Sequence, residues 1–358
     1  MSIYVNVLVI LLLIKYSLNH WPNIEQTKIQ KIFLVVSSII LALFTGLRDQ
    51  NTGSDTLGYG LNFIRTTHVS KFSAAMNSDM KNGEYGYRAW TWLISRFSSN
   101  PNVFFTITAV IFAVCLAVYI YKNSQNPFFS MVLYYTVGMF GFQMTGMRQS
   151  LAMAILLISF EFIKKRKLIW FLMAVYIASL FHYSALAFAL AYFVSYLKVN
   201  FKTFFIYGIG FLFCAVYGNR FASSIFSNSG YYDHYTIGHD VADTMGGWAV
   251  IGMLFLTIIL CYIFKNKLIT QSKYNTIFFN LAVTSLIIYI LRYVTRIFER
   301  MSFYYQFAFI ILLPNVIEAI PDDKTRKTVY TCAIALACAL FFYRYQIKPS
   351  YYGFLWKY

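Results

Sequence analysis

Charged side chains are scarce in this chain. Of its 358 residues only 12% are Asp, Glu, Lys or Arg, while 59% are hydrophobic and 20% aromatic. No soluble globular domain of this size has that balance, so a water-soluble enzyme or binding module is excluded. Acids are the scarcer sign, 13 against 30 Lys and Arg, and the net charge of +17 is ordinary for a bacterial-type membrane protein. It does not call for nucleic-acid binding. Cysteine is also sparse: Cys115, Cys214, Cys261, Cys332 and Cys338 fall inside apolar stretches, without metal-ligand spacing or loop pairs, and read as small core residues. The start lacks a basic n-region and an A-x-A site, so Ser2–Leu18 reads as a first span. No fixed-period repeat or low-complexity linker divides the chain, which points to a single transmembrane domain over 1–358.

What remains is a succession of apolar segments near the roughly 20 residues that cross a bilayer core. Twelve are expected as spans: 2–18, 29–47, 100–121, 127–143, 147–163, 167–181, 183–197, 202–218, 247–264, 274–293, 301–319 and 327–345. Lys and Arg beside spans are retained on the cytoplasmic side, and the strongest anchor is Lys164-Lys165-Arg166-Lys167. With that tetrad inside, both termini lie outside, as do two longer loops, 48–99 and 219–246. A stretch at 84–97 carries Glu84, Arg88 and Arg96 and is only about four turns long, so it reads as an interfacial or re-entrant helix.

This topology sorts the two basic residue types. The inside holds 16 of the 30, with Arg166 and Arg326 its only arginines; the outside holds 14, of which 10 are Arg. Positive charge alone sets topology, so Lys suffices inside. The planar fork of Arg binds phosphate and carboxylate bidentately, which marks the outer face as functional. The competing explanation is a lineage bias toward Lys with scattered Arg.

On that face Arg148 opens a span, where a cation gains nothing from the helix dipole, so an anionic ligand or acidic partner is expected. His182 lies at the outer end of another span, either as a hydrogen-bonded packing residue or in a catalytic role. Arg292, Arg296 and Arg300 share one stripe if their helix is continuous, with Glu299 able to neutralise one of them; snorkelling to lipid headgroups is the alternative. The second loop holds Asp233, His234, His239, Asp240 and Asp243, whose spacing matches no established metal pattern and reads as an aromatic lid.

Five motifs occur in order on this face: Gly46-Leu47-Arg48-Asp49, Gly53-Ser54-Asp55-Thr56-Leu57-Gly58-Tyr59, Glu84-Tyr85-Gly86-Tyr87, Arg148-Gln149-Ser150-Leu151-Ala152 and Phe181-His182-Tyr183-Ser184. Together they resemble the EpsG family of bacterial exopolysaccharide and capsule proteins, grouped with the Wzy-type polysaccharide polymerases. The resemblance implies an all-α polytopic membrane protein with a GT-C-like fold in the bacterial plasma membrane. It implies a polymerase that joins undecaprenyl-pyrophosphate-linked oligosaccharides at the outer leaflet, inverting the anomeric carbon, without metal or cofactor. Membrane lipids, a chain-length regulator and a flippase are the partners implied.

Such a reaction builds negative charge on a leaving phosphate, which arginines can stabilise. Arg48, Arg148, Arg292, Arg296 and Arg300 are expected at pyrophosphates, with Asp49, Tyr59, Tyr87, Gln149 and Tyr304 also lining the substrate site. His182, Asp55 and Glu84 are alternative general bases on the acceptor hydroxyl. Tyr85 and Trp90 join Tyr59 and Tyr87 in stacking on sugars. A ligase to a non-lipid acceptor, a lipid-linked oligosaccharide flippase or other transporter, and a membrane glycan acyltransferase are the competing functions.

Overall fold

The computed structural model describes residues 3–77, 84–226, 244–293, 297–347 and 352–353. Regular structure among the described residues is helical, apart from one bridge at Arg48. The N-terminal part contains α1 (Ile3–Asn19), α2 (Gln26–Gly46), α3 (Thr56–Thr67), α4 (Phe72–Met76), α5 (Tyr85–Ser95) and α6 (Pro101–Asn123). The middle runs through α7 (Pro127–Thr136), α8 (Met139–Thr145), α9 (Met147–Lys164), α10 (Leu168–Phe181), a 3-10 stretch Tyr183–Ala189, and α11 (Leu190–Val194). The last part comprises α12 (Phe201–Phe226), α13 (Thr244–Ile263), α14 (Lys265–Gln271), α15 (Asn275–Ile290), a 3-10 turn Leu291–Tyr293, α16 (Ile297–Glu318) and α17 (Asp323–Ile347).

Local chemistry sets many of these boundaries. Asn100 and Asn126 each precede a proline at the first helical position, and their side chains accept from Asn102 N and Phe129 N to start α6 and α7. Gly138, at φ +96, separates α7 from α8 in a backbone region open to glycine. Pro314 lies inside α16 and cannot donate to the carbonyl of Ile310 four residues earlier; Ser130 Oγ donates to that oxygen instead, at 2.7 Å.

The protein is a helical membrane protein. Among the described residues five helices are long and apolar enough to cross a bilayer: α2, α6, Asn275–Tyr293, α16 and Asp323–Tyr343 within α17. The segment Gly247–Ile263 and α14, bent by 85° at their junction, make a sixth if they form one span. The twelve crossings expected from the sequence are therefore not reproduced, although all twelve segments are helical. The expectation counted apolar length and overlooked breaks and charge. Segment 127–143 is split at Gly138, α9 carries Arg148, Glu161 and Lys164, and the 14 residues of α10 span only about 21 Å at helical rise.

α16 is the central helix, with 83% of its apolar window buried, whereas α17 is peripheral, with 11% buried. One end of the bundle is closed by a polar network. There Lys164 Nζ donates to Asn123 Oδ1 and Glu161 Oε1 at 2.9 and 2.8 Å, and Asn315 Nδ2 donates to Asn123 O and Asn275 Oδ1 at 3.0 and 2.8 Å. This is the Lys-rich end of the sequence reading. Arg48, Glu84, Arg148, His182, Arg292 and Arg300 sit at helix ends on the other side. Tyr4 and Tyr352, close to the two ends of the chain, meet edge to face there at 5.8 Å.

The first long loop is a small helical layer. α3 and α5 pack over the start of α6 through Tyr59, Phe63, Tyr87, Ile94, Phe104 and Phe105, and α4 rests on α5 through Phe72 and Trp92. Arg96 Nη2 donates to the carbonyls of Thr66 and Thr67 at 3.1 and 3.2 Å, and Trp92 Nε1 donates to Val69 O at 3.2 Å. α5 has 11 residues, about 16 Å at helical rise, too short to cross a membrane.

Candidate active site

Three helix ends meet beneath this layer. Glu84 immediately precedes α5, Arg148 is the second residue of α9, and His182 follows the last residue of α10. Glu84 Oε2 accepts from Arg148 Nη1 at 2.7 Å, and Glu84 Oε1 lies 2.8 Å from His182 Nδ1. The Glu84 and His182 side chains are 3% and 6% exposed while Arg148 is 22% exposed, so Arg148 is the member a ligand meets first. The rings of Tyr59 and Tyr87 flank the Arg148 guanidinium at 5.9 and 6.0 Å. Gly86 makes the approach of α5 to α10 feasible: a Cβ there would lie 2.9 Å from Leu180 Cβ and 3.0 Å from the Phe181 ring.

Burial opposes ionisation of Glu84, but the hydrogen bond and charge of His182 and the Arg148 guanidinium outweigh it and hold the carboxyl below the usual range. Burial pushes the His182 imidazole below its ordinary value, against the pull of Glu84 and with the help of the Arg148 and Arg300 charges. The resulting state is an anionic Glu84 accepting from a neutral His182 through Nδ1–H, with Nε2 as the basic nitrogen. A second shelf joins from α16. Gln149 Nε2 donates to Arg300 O at 2.7 Å, and the Ser184 and Tyr304 hydroxyls share a hydrogen bond of 2.9 Å.

The other expected site residues divide. Arg300 is half-buried at the start of α16 and its charge reaches His182 and Tyr304, so it belongs with this cluster. Trp90 Nε1 donates to Thr108 Oγ1 at 3.1 Å, fixing it as packing between α5 and α6. Asp55 is exposed at the start of α3, its carboxylate accepting from the neighbouring Ser54 hydroxyl at 3.1 Å, and the structure does not bring it to His182. Asp49 is buried as a turn residue, accepting from Asn51 N at 3.1 Å and from Thr52 Oγ1 at 2.7 Å. Arg48 is buried apart from the cluster, donating to Thr45 O and stacking on Phe105 at 4.8 Å. Burial pushes Arg48 down to about 10, which leaves it charged at neutral pH.

The arginine stripe is corrected by the backbone. α15 ends at Ile290 and Arg292 stands in the 3-10 turn that follows, so Arg292 departs from the α-helical spacing the stripe requires; Arg296 lies outside the described residues. Arg292 Nη1 donates to Glu299 Oε1 at 3.0 Å and to the Tyr289 hydroxyl at 2.6 Å, a clasp from the 3-10 turn to α16. The acids and histidines of the second loop also lie outside the described residues. Among the described residues no three His, Cys, Asp or Glu converge at metal-binding distances. Sequence reasoning missed Ser184 as a site residue, although it stands two positions after His182, and missed Gly86, whose role follows from a close approach that spacing does not encode.

The fold and site thus define a helical membrane protein with a buried carboxylate–imidazole–guanidinium centre at one end of its bundle. The sequence model of the EpsG family matches residues 31–358, and the chain belongs to that family, which ties it to membrane-embedded polysaccharide biosynthesis. Neither a curated protein nor a solved structure matches the chain.

Proposed function

We propose that the protein is a polysaccharide polymerase that transfers a growing glycan from undecaprenyl pyrophosphate to a hydroxyl of an incoming lipid-linked repeat unit. The reaction is placed at the outer leaflet of the bacterial plasma membrane, in a GT-C-like bundle completed by the shorter apolar helices. The observation that carries this reading is Glu84 held at once by His182 and Arg148. Such a centre offers a base and a phosphate ligand side by side.

The acceptor hydroxyl attacks the anomeric carbon of the donor sugar. The new glycosidic C–O bond forms as the bond to pyrophosphate breaks, and its electron pair leaves on the phosphate oxygen. The hydroxyl proton passes to His182 Nε2, while Glu84 fixes the ring's orientation and stabilises the imidazolium. Arg148, braced on one edge by Glu84, turns its remaining N–H groups toward the leaving pyrophosphate, and Arg300 adds charge from α16. One displacement inverts the anomeric carbon, and arginine supplies the charge stabilisation without a metal. Among the three base candidates Glu84 has both oxygens occupied, by Arg148 and by His182, and Asp55 is exposed, so His182 takes the role.

The test is reconstitution with a lipid-pyrophosphate-linked repeat unit in the presence of EDTA. A ladder of longer lipid-linked glycans that survives chelation, and fades in folded Arg148→Lys and His182→Ala proteins, supports the proposal. No ladder from folded protein given its cognate unit overturns it. A histidine paired with an acid also suits an acyltransferase, and incorporation of acetyl groups without chain growth would select that reading.

A further inference from the structure

Arg48 presents a problem of charge. Its side chain is fully buried, its Nε reaches Thr56 Oγ1 at 3.4 Å and its Nη1 donates to Thr45 O, but Nη2 has no hydrogen-bond partner. No carboxylate forms an ion pair with it among the described residues. The neighbouring Asp49 carboxylate is turned toward Asn51 N and Thr52 Oγ1. A buried guanidinium without an anion is costly, and a fold that retains one has a use for it.

The residues on either side of Arg48 are tied to a segment from far along the chain. Tyr352 stacks on Phe44 with ring centroids 4.1 Å apart and an interplanar angle of 17°, and its hydroxyl donates to Phe44 O. Gly353 N donates to Thr52 Oγ1 at 3.0 Å, and Gly353 O accepts from Asp49 N at 2.8 Å. The phenols of Tyr352, Tyr4 and Tyr59 are neighbours of Arg48, and none of them supplies an anion at neutral pH. Tyr59 is shared, since its ring also flanks Arg148 at 5.9 Å. The same loop reaches the active site by its backbone: a Cβ on Gly53 would lie 2.9 Å from Thr145 Cγ2, three residues before Arg148.

We infer that Arg48 is the centre of a second phosphate-type anion site, separate from Arg148, and that Tyr352 and Gly353 form a latch that must lift for it to fill. Pyrophosphate as the ligand rests on the polymerase reading, since two lipid-linked substrates bring two pyrophosphates and Arg148 faces one; a phosphate-type anion at Arg48 does not depend on it. Opening the latch breaks the Gly353 hydrogen bonds and the Tyr352 stack, a local event distinct from unfolding of the helical core.

The experiment is labelling of Arg48 in the purified full-length protein with phenylglyoxal, followed by peptide mass spectrometry. Wild type is expected to label slowly. Tyr352→Ala should label roughly tenfold faster, because the closed state no longer dominates. Inorganic pyrophosphate should slow that labelling, and a prenyl pyrophosphate in detergent protecting at lower concentration identifies the lipid-borne source. Protection by inorganic pyrophosphate alone identifies a free anion. Fast labelling that neither anion slows makes Arg48 a structural prop and overturns the site, and wild type labelling as fast as the variant overturns the latch. If Tyr352→Ala does not fold, Thr52→Val, which removes the hydroxyl that accepts from Gly353 while keeping the volume, answers the same question. The readout is chemical and independent of glycan synthesis, so its failure is distinguishable from failure of the polymerase proposal.

Discussion

His182 meets Glu84 through Nδ1, and that one bond leaves Nε2 as the nitrogen able to take a proton. His182→Ala is therefore expected to lower elongation by roughly 10²- to 10⁴-fold, while Asp55→Asn leaves it near the wild-type rate; radiolabelled ladders from reconstituted protein read both. The imidazole is depressed below its ordinary value of 6.5, so the acid limb of the pH–rate profile should fall below that value, activity being lost as pH drops and Nε2 is protonated. Glu84 raises the His182 value and Arg148 and Arg300 lower it, so Glu84→Gln should move the limb to still lower pH together with a reduced plateau. A limb that moves upward in Glu84→Gln would contradict the assignment. Arg148 and His182 were legible in the sequence as ionisable groups at the ends of apolar segments, and Glu84 as an acid among aromatics in the first long loop. Their pairing was not legible: 64 and 98 residues separate Glu84 from its two partners, and no spacing rule connects them.

Helix ends do the positioning here, and two backbone features set them. Gly86 lets α5 lie against the end of α10, and Gly86→Ala is expected to destabilise the protein by about 1–3 kcal/mol, since the Leu180 and Phe181 atoms it would meet are packed. Thermal melting in detergent measures that cost, and the shifted Glu84 should lower kcat more than it raises KM. Ser130 occupies the position that Pro314 vacates on Ile310 O; Ser130→Ala should lower stability by about 0.6–1.7 kcal/mol, the range found for hydrogen bonds between membrane helices. At this scale the sequence located the apolar segments that the described helices occupy. It failed where continuity was assumed, since the stripe drawn through Arg292, Arg296 and Arg300 needed an unbroken α-helix and Arg292 stands in a 3-10 turn.

Taken whole, the molecule separates its two basic residue types by end, Lys around the Asn123–Asn315 network and Arg around Glu84. The sequence reading expected such a separation because a topogenic signal needs only positive charge, whereas the planar fork of arginine suits a carboxylate partner such as Glu84. The number of crossings was not legible, since apolar length says nothing of kinks such as the 85° bend before α14. In a variant with its five cysteines replaced, Ser54→Cys should react with an impermeant maleimide added to intact cells and Lys165→Cys should not; the reverse pattern would put the site on the cytoplasmic side. The tie between Thr52 and Gly353 joins positions 301 residues apart. Loop-closure entropy rises only slowly with length, so the distance itself is a modest thermodynamic burden. Its weight falls on timing: a ribosome must deliver residue 353 before the turn after α2 acquires these partners, so during synthesis the Arg48 corner sets only after the segments of α1 through α17 have all been made.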